Sequence, residues 1–223
     1  MTYEQLHMLS YLPLFCLIPS CIIWFLKQYR FPAPLKIFGY FLLLNLFTEA
    51  AARGLVIWDV IDNNLPLLHI YTAGEFVLLS FFYRSLFINS AFVRRYFLAF
   101  ILFICALIAF NSAFLQSIYI FNSYAKTLVQ IIIITYSILF FFHLPERTNL
   151  KNPEDWAIRI INSAVLIYYC GSLFIFMFSN LFIGKGLIYN GFWAFNALLN
   201  FIFQLLVLIG LWRVAFKHPK FSF

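Results

Sequence analysis

"FLAFILFICALIAFNSAFL", Phe97–Leu115, carries no charged side chain anywhere along its length. An apolar run of about 18 residues or more reads as a helix that crosses the hydrocarbon core of a bilayer. Six further runs of this kind flank it: Met8–Leu26, Leu35–Trp58, Pro66–Leu86, Ser123–His143, Ala157–Phe182 and Gly191–Trp212. The expected fold is all-α, one polytopic seven-transmembrane helix bundle occupying residues 1–223. Composition points the same way. The chain is 64% hydrophobic and 10% charged, whereas roughly a quarter of a soluble chain is charged.

Working outward from the spans, the connections are short, which leaves no room for a soluble catalytic domain or a phosphate-binding loop. The basic residues then give an orientation, because cytoplasmic loops carry the excess of Lys and Arg. Lys27, Arg30, Lys36, Arg84, Arg94, Arg95, Arg147, Lys151, Arg159, Arg213, Lys217 and Lys220 all fall on the side of the first, third and fifth loops and the C-terminal tail. Only Lys126 and Lys185 fall opposite, with Glu4, Asp59 and Asp62, and Arg53 sits within the second span. The expectation is an N-terminus outside and a C-terminus in the cytoplasm, in the cytoplasmic membrane. The net charge of +7 follows from this asymmetry and does not point to nucleic acid.

The opening "MTYEQLHML" lacks the positive start of a secretory signal, so the first span reads as a retained helix. Pro13 and Pro19 lie within it. Cys16, Cys21, Cys105 and Cys170 sit singly inside spans without metal-ligand spacing, and read as small apolar fillers. No metal site and no cofactor is expected. In "LPERTNLKNPEDWAIR", Asn152 is placed as an N-cap, Pro153 at the first helical position, and Glu154 and Asp155 in the first turn.

Polar residues inside the spans carry the functional reading, because a polar group at membrane depth needs a partner or water. Advancing 100° per residue, Asn45, Glu49 and Arg53 form a drifting stripe in which Glu49 precedes Arg53 in the favourable i, i+4 order. On the third helix Glu75 shares a face with Tyr71, Leu68 and Asn64, while Thr72 and His69 lie progressively round one side. Glu75 falls about eleven residues into its span, near the bilayer centre at 1.5 Å per residue, and no basic residue of its own helix reaches it. It is therefore protonated, paired across helices, or open to a water-filled cavity. His69, the one histidine well inside a span, reads as a hydrogen-bonded wall residue.

On the fifth helix Lys126, Gln130 and Ser137 share a side, with Lys126 expected to reach out to the interface. Tyr168, Tyr169 and Ser172 are mid-span on the sixth, where Gly171 permits close helix approach. Trp193, Asn196, Asn200 and Gln204 form a ladder on the seventh that reads first as interhelical glue. Placed by depth, most of these residues lie in the outer half. The expected ligand site is an outward-facing pocket built from Glu49, Arg53, His69, Tyr71, Thr72, Glu75, Gln130, Tyr169, Trp193, Asn196 and Asn200, floored by Glu75 and Asn200.

"NNLPLLHIYTAGEF", residues 63–76, together with "NLFTEAAARG", residues 45–54, resembles small uncharacterised seven-helix membrane proteins of Bacteroidetes-type bacteria; the resemblance implies no activity. A retinal protein needs a lysine in its last helix, and Gly191–Trp212 has none. The motifs of lysoplasmalogenase-type and ceramidase-type hydrolases do not match, and no catalytic motif is recognised. The primary expectation is a receptor-like or sensory bundle, in contact with the lipid bilayer. It takes a small-molecule or lipidic ligand and works with a cytoplasmic or membrane protein partner through the basic rim or the loop Leu144–Ile158. The alternatives are a membrane-embedded enzyme acting on a lipid or isoprenoid and a proton- or cation-linked transporter or channel.

Overall fold

A computed structural model describes residues 8–57, 64–87, 91–142, 152–182 and 186–216, with the side chains of 56–57, 91–94 and 187–188 left aside. Glu4, Trp58, Asp59, Asp62, His143, Arg147, Lys151, Lys185, Lys217 and Lys220, named above, lie outside the described residues, as does 144–151 of the loop 144–158. The described chain is helical and contains no strand. The helices are α1 (Leu12–Lys27), α2 (Ala33–Ile57), α3 (Leu65–Leu86), α4 (Ala91–Phe110), α5 (Ser123–Phe142), α6 (Pro153–Phe182) and α7 (Leu187–Phe216). A 3-10 turn at Gln28–Arg30 follows α1, and a π-helical turn at Asn111–Leu115 ends α4. Among the described residues seven helices are long and apolar enough to cross a membrane, which makes the chain a membrane protein.

The ends are set by local chemistry. Asn152 Oδ1 accepts from the Glu154 backbone N–H at 3.1 Å, so α6 starts at Pro153 as the capping pattern implies, four residues before the apolar span that begins at Ala157. Gly186, at φ +51°, takes a left-handed turn open to glycine and lets α7 begin at Leu187 instead of Gly191. At the far end of α7, Arg30 Nη1 donates to the Ala215 carbonyl at 2.8 Å, tying the end of α1 to that of α7.

Packing places α1 between α7 and α2, then continues round through α3, α5 and α6 back to α7, a closed ring of six helices. α4 stands outside the ring against α3. Small residues let the helices approach. A Cβ on Gly39 would overlap the Trp24 indole, at 1.8 Å from its Nε1, and one on Gly171 would come within 2.8 Å of Leu199. The lower half of the ring is filled by Phe38, Leu42, Phe82, Ile133, Ile161 and Val207. There a polar clasp joins three helices: Tyr83 donates to Asn162 Oδ1 at 2.7 Å, and Asn162 Nδ2 donates to the Ser137 carbonyl at 3.2 Å. The upper half, toward the N-terminal end of α1, is hollow.

Candidate ligand chamber

The connection between α4 and α5 sets the geometry of this hollow. In "QSIYIFN", Gln116–Asn122, Ser117–Ile120 are exposed while the two ends turn inward. Phe121 is 5% exposed and Asn122 1%. Irregular backbone at such a position must find partners within the protein, and it finds them in the polar fan of α3 and its neighbours. Asn122 Nδ2 donates to the Leu68 carbonyl at 3.2 Å and to Thr72 Oγ1 at 2.7 Å. Asn180 Nδ2 donates to the Phe121 carbonyl at 2.8 Å. Gln116 Nε2 donates to Ser123 Oγ, while Gln116 Oε1 accepts from the Tyr124 N–H. His69 completes the clamp. Its Nε2 lies 3.2 Å from the Ile120 carbonyl, and so carries a proton, and its Nδ1 lies 2.7 Å from Ser112 Oγ on the π-turn.

Because this segment tucks inward, α5 begins inside the bundle and Lys126 starts deep. The expectation that Lys126 reaches out to the interface is corrected: it is 5% exposed and its Nζ donates to Glu75 Oε2 at 2.5 Å. Of the three fates open to Glu75, pairing across helices is the one adopted, with a partner on α5. The other carboxylate oxygen, Oε1, accepts from the Tyr169 hydroxyl at 2.7 Å. The Tyr71 hydroxyl is 2.7 Å from Asn45 Oδ1 and 3.2 Å from Glu75 Oε1, and its single proton serves the shorter contact. The ammonium of Lys126 also faces the rings of Tyr71 and Phe176, 5.1 Å from each centroid. Glu75 itself is fully buried.

Above this pair lies an inner chamber of about 180 Å³. Its walls come from α2 (Asn45, Thr48, Glu49), α3 (Tyr71, Thr72), the tucked segment (Phe121, Asn122) and α7 (Trp193, Asn196, Asn200), with Tyr168 and Phe176 from α6. Phe203 packs on Phe41 and Tyr168 at centroid distances of 6.3 and 5.4 Å and closes the floor. Glu49, Trp193, Asn196 and Asn200 also line an outer vestibule of about 520 Å³, bounded by Ser10, Arg53, Asn64 and Tyr189. The two spaces share this wall. The bundle end they meet is that of the N-termini of α1, α3 and α7.

Arg53 guards the vestibule. Its Nε donates to Glu49 Oε2 at 3.0 Å, Nη2 donates to the Ser10 carbonyl at 3.0 Å, and its guanidinium lies 4.3 Å from the Tyr11 ring centroid. No protein family, curated protein or solved structure matches this chain. What the site does must therefore be read from its own atoms.

The expected site residues divide. Glu49, Arg53, Tyr71, Thr72, Trp193, Asn196 and Asn200 line the chamber or vestibule. Glu75, paired with Lys126 and accepting from the Tyr169 hydroxyl, lies beneath Tyr71 with Tyr169 and does not line the space. His69 and Gln130 do not line it: His69 holds the tucked segment, and Gln130 Nε2 donates to Ser172 Oγ at 2.8 Å. Lys126, Asn122, Phe121 and Asn45 complete the site and were not foreseen as members of it.

The ladder on α7 is also reassigned. Among the described residues no side-chain hydrogen bond joins Asn196, Asn200 or Gln204 to another helix, so the ladder is not interhelical glue. Asn196 and Asn200 face the chamber instead, and Asn196 Oδ1 is buried without a partner. The same holds for Asn122 Oδ1. Both amide protons of Asn122 go to oxygen acceptors, one of them a carbonyl, which fixes that side as nitrogen and leaves its oxygen unpaired. The chamber thus offers hydrogen-bond acceptors between aromatic walls, while both amide protons of Asn122 and one of Asn45 are already engaged.

Proposed function

We propose that this chain is a receptor-type protein of the cytoplasmic membrane that admits a small ligand bearing hydrogen-bond donors into the chamber from the outer side. The observation that carries the reading is the pair of unpartnered acceptors, Asn122 Oδ1 and Asn196 Oδ1, on residues that line the aromatic-walled space. A buried carbonyl left unpaired costs about 1–3 kcal/mol, and a ligand N–H or O–H in reach recovers it. Tyr71, Trp193 and Phe121 supply faces for the apolar part of such a molecule. The charges near the space cancel as Glu49 with Arg53 and Glu75 with Lys126, which favours a ligand of low net charge.

Orientation supports the outward opening. Lys27, Arg30, Lys36, Arg84, Arg95, Arg159 and Arg213 all sit at the bundle end opposite the vestibule, the end that the charge rule assigns to the cytoplasm. Output would leave by α7, whose near half carries Trp193, Asn196 and Asn200 and whose far end is held to Arg30 through the Ala215 carbonyl. A ligand that draws α7 toward the tucked segment biases that far junction, which is the differential contact a two-state receptor needs.

The test is a thermal-shift screen of purified protein against polyols, monosaccharides, amines and amino acids, followed by titration. A member that raises the melting temperature should bind about tenfold more weakly to Asn196→Ala, the loss of one well-made hydrogen bond to a buried acceptor. Binding that ignores both Asn196→Ala and Asn122→Ala would overturn the assignment.

A proton-linked pathway is the second reading. It is favoured by the Tyr71 hydroxyl, which stands between Asn45 in the chamber wall and the buried Glu75. On that reading Glu75→Gln abolishes proton flux in liposomes, and an absence of flux in the unaltered protein removes it.

A further inference from the structure

The opposite half of the molecule contains a cleft with a different chemistry. Among the described residues α4 packs chiefly on α3 and forms no extensive seam with α5, which leaves a slot of about 580 Å³ beside α4, lined from α3 and by Tyr136 of α5. That size lies within the ~300–1,000 Å³ of ligand clefts. Its walls are almost wholly apolar: Phe97, Phe100 and Phe103 from α4, and Tyr83 and Tyr136 from α3 and α5. α4 is the most hydropathic of the spans, with a mean hydropathy of 2.5, and Phe103 is 61% exposed along the slot.

At one end of this apolar slot sits Arg84, in the last turn of α3. Its guanidinium is steadied on the Phe97 ring, 4.8 Å from the centroid. Among the described residues the ion pairs are Glu49–Arg53 and Glu75–Lys126, and no carboxylate reaches Arg84. Arg95, an exposed residue of α4 stacked on Tyr96 at 5.5 Å, adds positive charge at the same end of the bundle. A guanidinium presents paired N–H donors in the geometry that phosphate oxygens accept. A fixed cation heading an apolar channel between spanning helices is complementary to an anionic amphiphile.

We propose that this cleft is a binding site for an anionic phospholipid of the leaflet on that side, with the phosphate on Arg84 and one acyl chain lying between α4 and α5. The site is independent of the chamber. It shares no lining residue with it, and it stands or falls whatever the chamber binds. A zwitterionic lipid carries the same phosphate, but brings an ammonium into the field of Arg84 and Arg95, so the site discriminates by headgroup charge.

The experiment counts lipids retained on purified protein by native mass spectrometry after equilibration with equal amounts of dioleoyl phosphatidylglycerol and dioleoyl phosphatidylcholine. The wild type should retain the anionic lipid about fivefold in preference, the scale set by one basic residue at the surface. Arg84→Gln should equalise the two, Arg84→Lys should keep part of the preference, and Ala99→Phe, which fills the slot, should lower retention of both. Should Arg84→Gln fail to fold, the wild type still decides: its preference should fall as salt is raised while phosphatidylcholine retention holds. Equal retention in the wild type, a preference that survives Arg84→Gln or high salt, or displacement of the lipid by millimolar inorganic phosphate would overturn the proposal.

Discussion

Taking a lysine and a glutamate out of water costs several kcal/mol for each ion, and only close pairing with further hydrogen bonds repays it. Glu75 and Lys126 meet that condition through the 2.5 Å contact and the Tyr169 hydroxyl on the second oxygen. The pair is thus weak evidence for net stability but strong evidence for mutual dependence. Glu75→Gln or Lys126→Met alone should destabilise the protein by about 3–5 kcal/mol, because each leaves a buried charge uncompensated. The double replacement Glu75→Leu with Lys126→Met should recover most of that loss. Equilibrium unfolding in detergent measures it, and single variants indistinguishable from wild type would show that the two groups are not coupled.

The two amides that define the chamber separate in the same assay. Asn122 donates two hydrogen bonds to α3, and Asn122→Ala should cost stability at about 0.6 kcal/mol for each such bond in a membrane protein. Asn196 makes none among the described residues and leaves its buried carbonyl unpaired, so Asn196→Ala should hold or raise the melting temperature while weakening the ligand. A large stability loss for Asn196→Ala would mean that it packs as glue after all.

Among the elements, the spans were legible because length and hydropathy are direct requirements of a lipid environment, and α4 shows this most plainly. The i, i+4 pairing of Glu49 with Arg53 was also readable, since both lie on one helix, and so was the Asn152 cap. The tucked segment Gln116–Asn122 was not. Its polar partners are on α3 and α6, far away in sequence, and only its apolar content at Ile118, Ile120 and Phe121 hinted that it was no ordinary surface turn. From that one omission follow the misplacement of Lys126, the assignment of His69 to the ligand, and the absence of Asn122 from the expected site. Depth along a helix was counted from a rim that the chain does not follow.

The α1–α2 seam gives a prediction on the same scale. With the Trp24 indole resting where a Cβ on Gly39 would stand, Gly39→Ala forces the ring or the helix to move and should cost at least the ~1–3 kcal/mol of overpacking. Trp24→Leu in the same chain should restore part of it, as read by thermal unfolding. A neutral Gly39→Ala would contradict the packing described for α1.

For the molecule as a whole, the ring of six helices is filled in one half and hollow in the other, and the charges follow that division. Lys and Arg crowd the filled end, while the hollow end carries the Glu49–Arg53 pair and the vestibule. The central claim is that this hollow is a polar chamber entered from the end where α1 and α7 begin. The most direct measurement is thiol accessibility in sealed vesicles, in a background with the four native cysteines replaced by serine. Asn196→Cys and Asn200→Cys should react with a membrane-impermeant maleimide added on that side, much faster than Val207→Cys in the filled half or Leu198→Cys on the outer face of α7. Equal, slow labelling at all four positions, or labelling of Asn200→Cys only from the opposite side, would contradict the account.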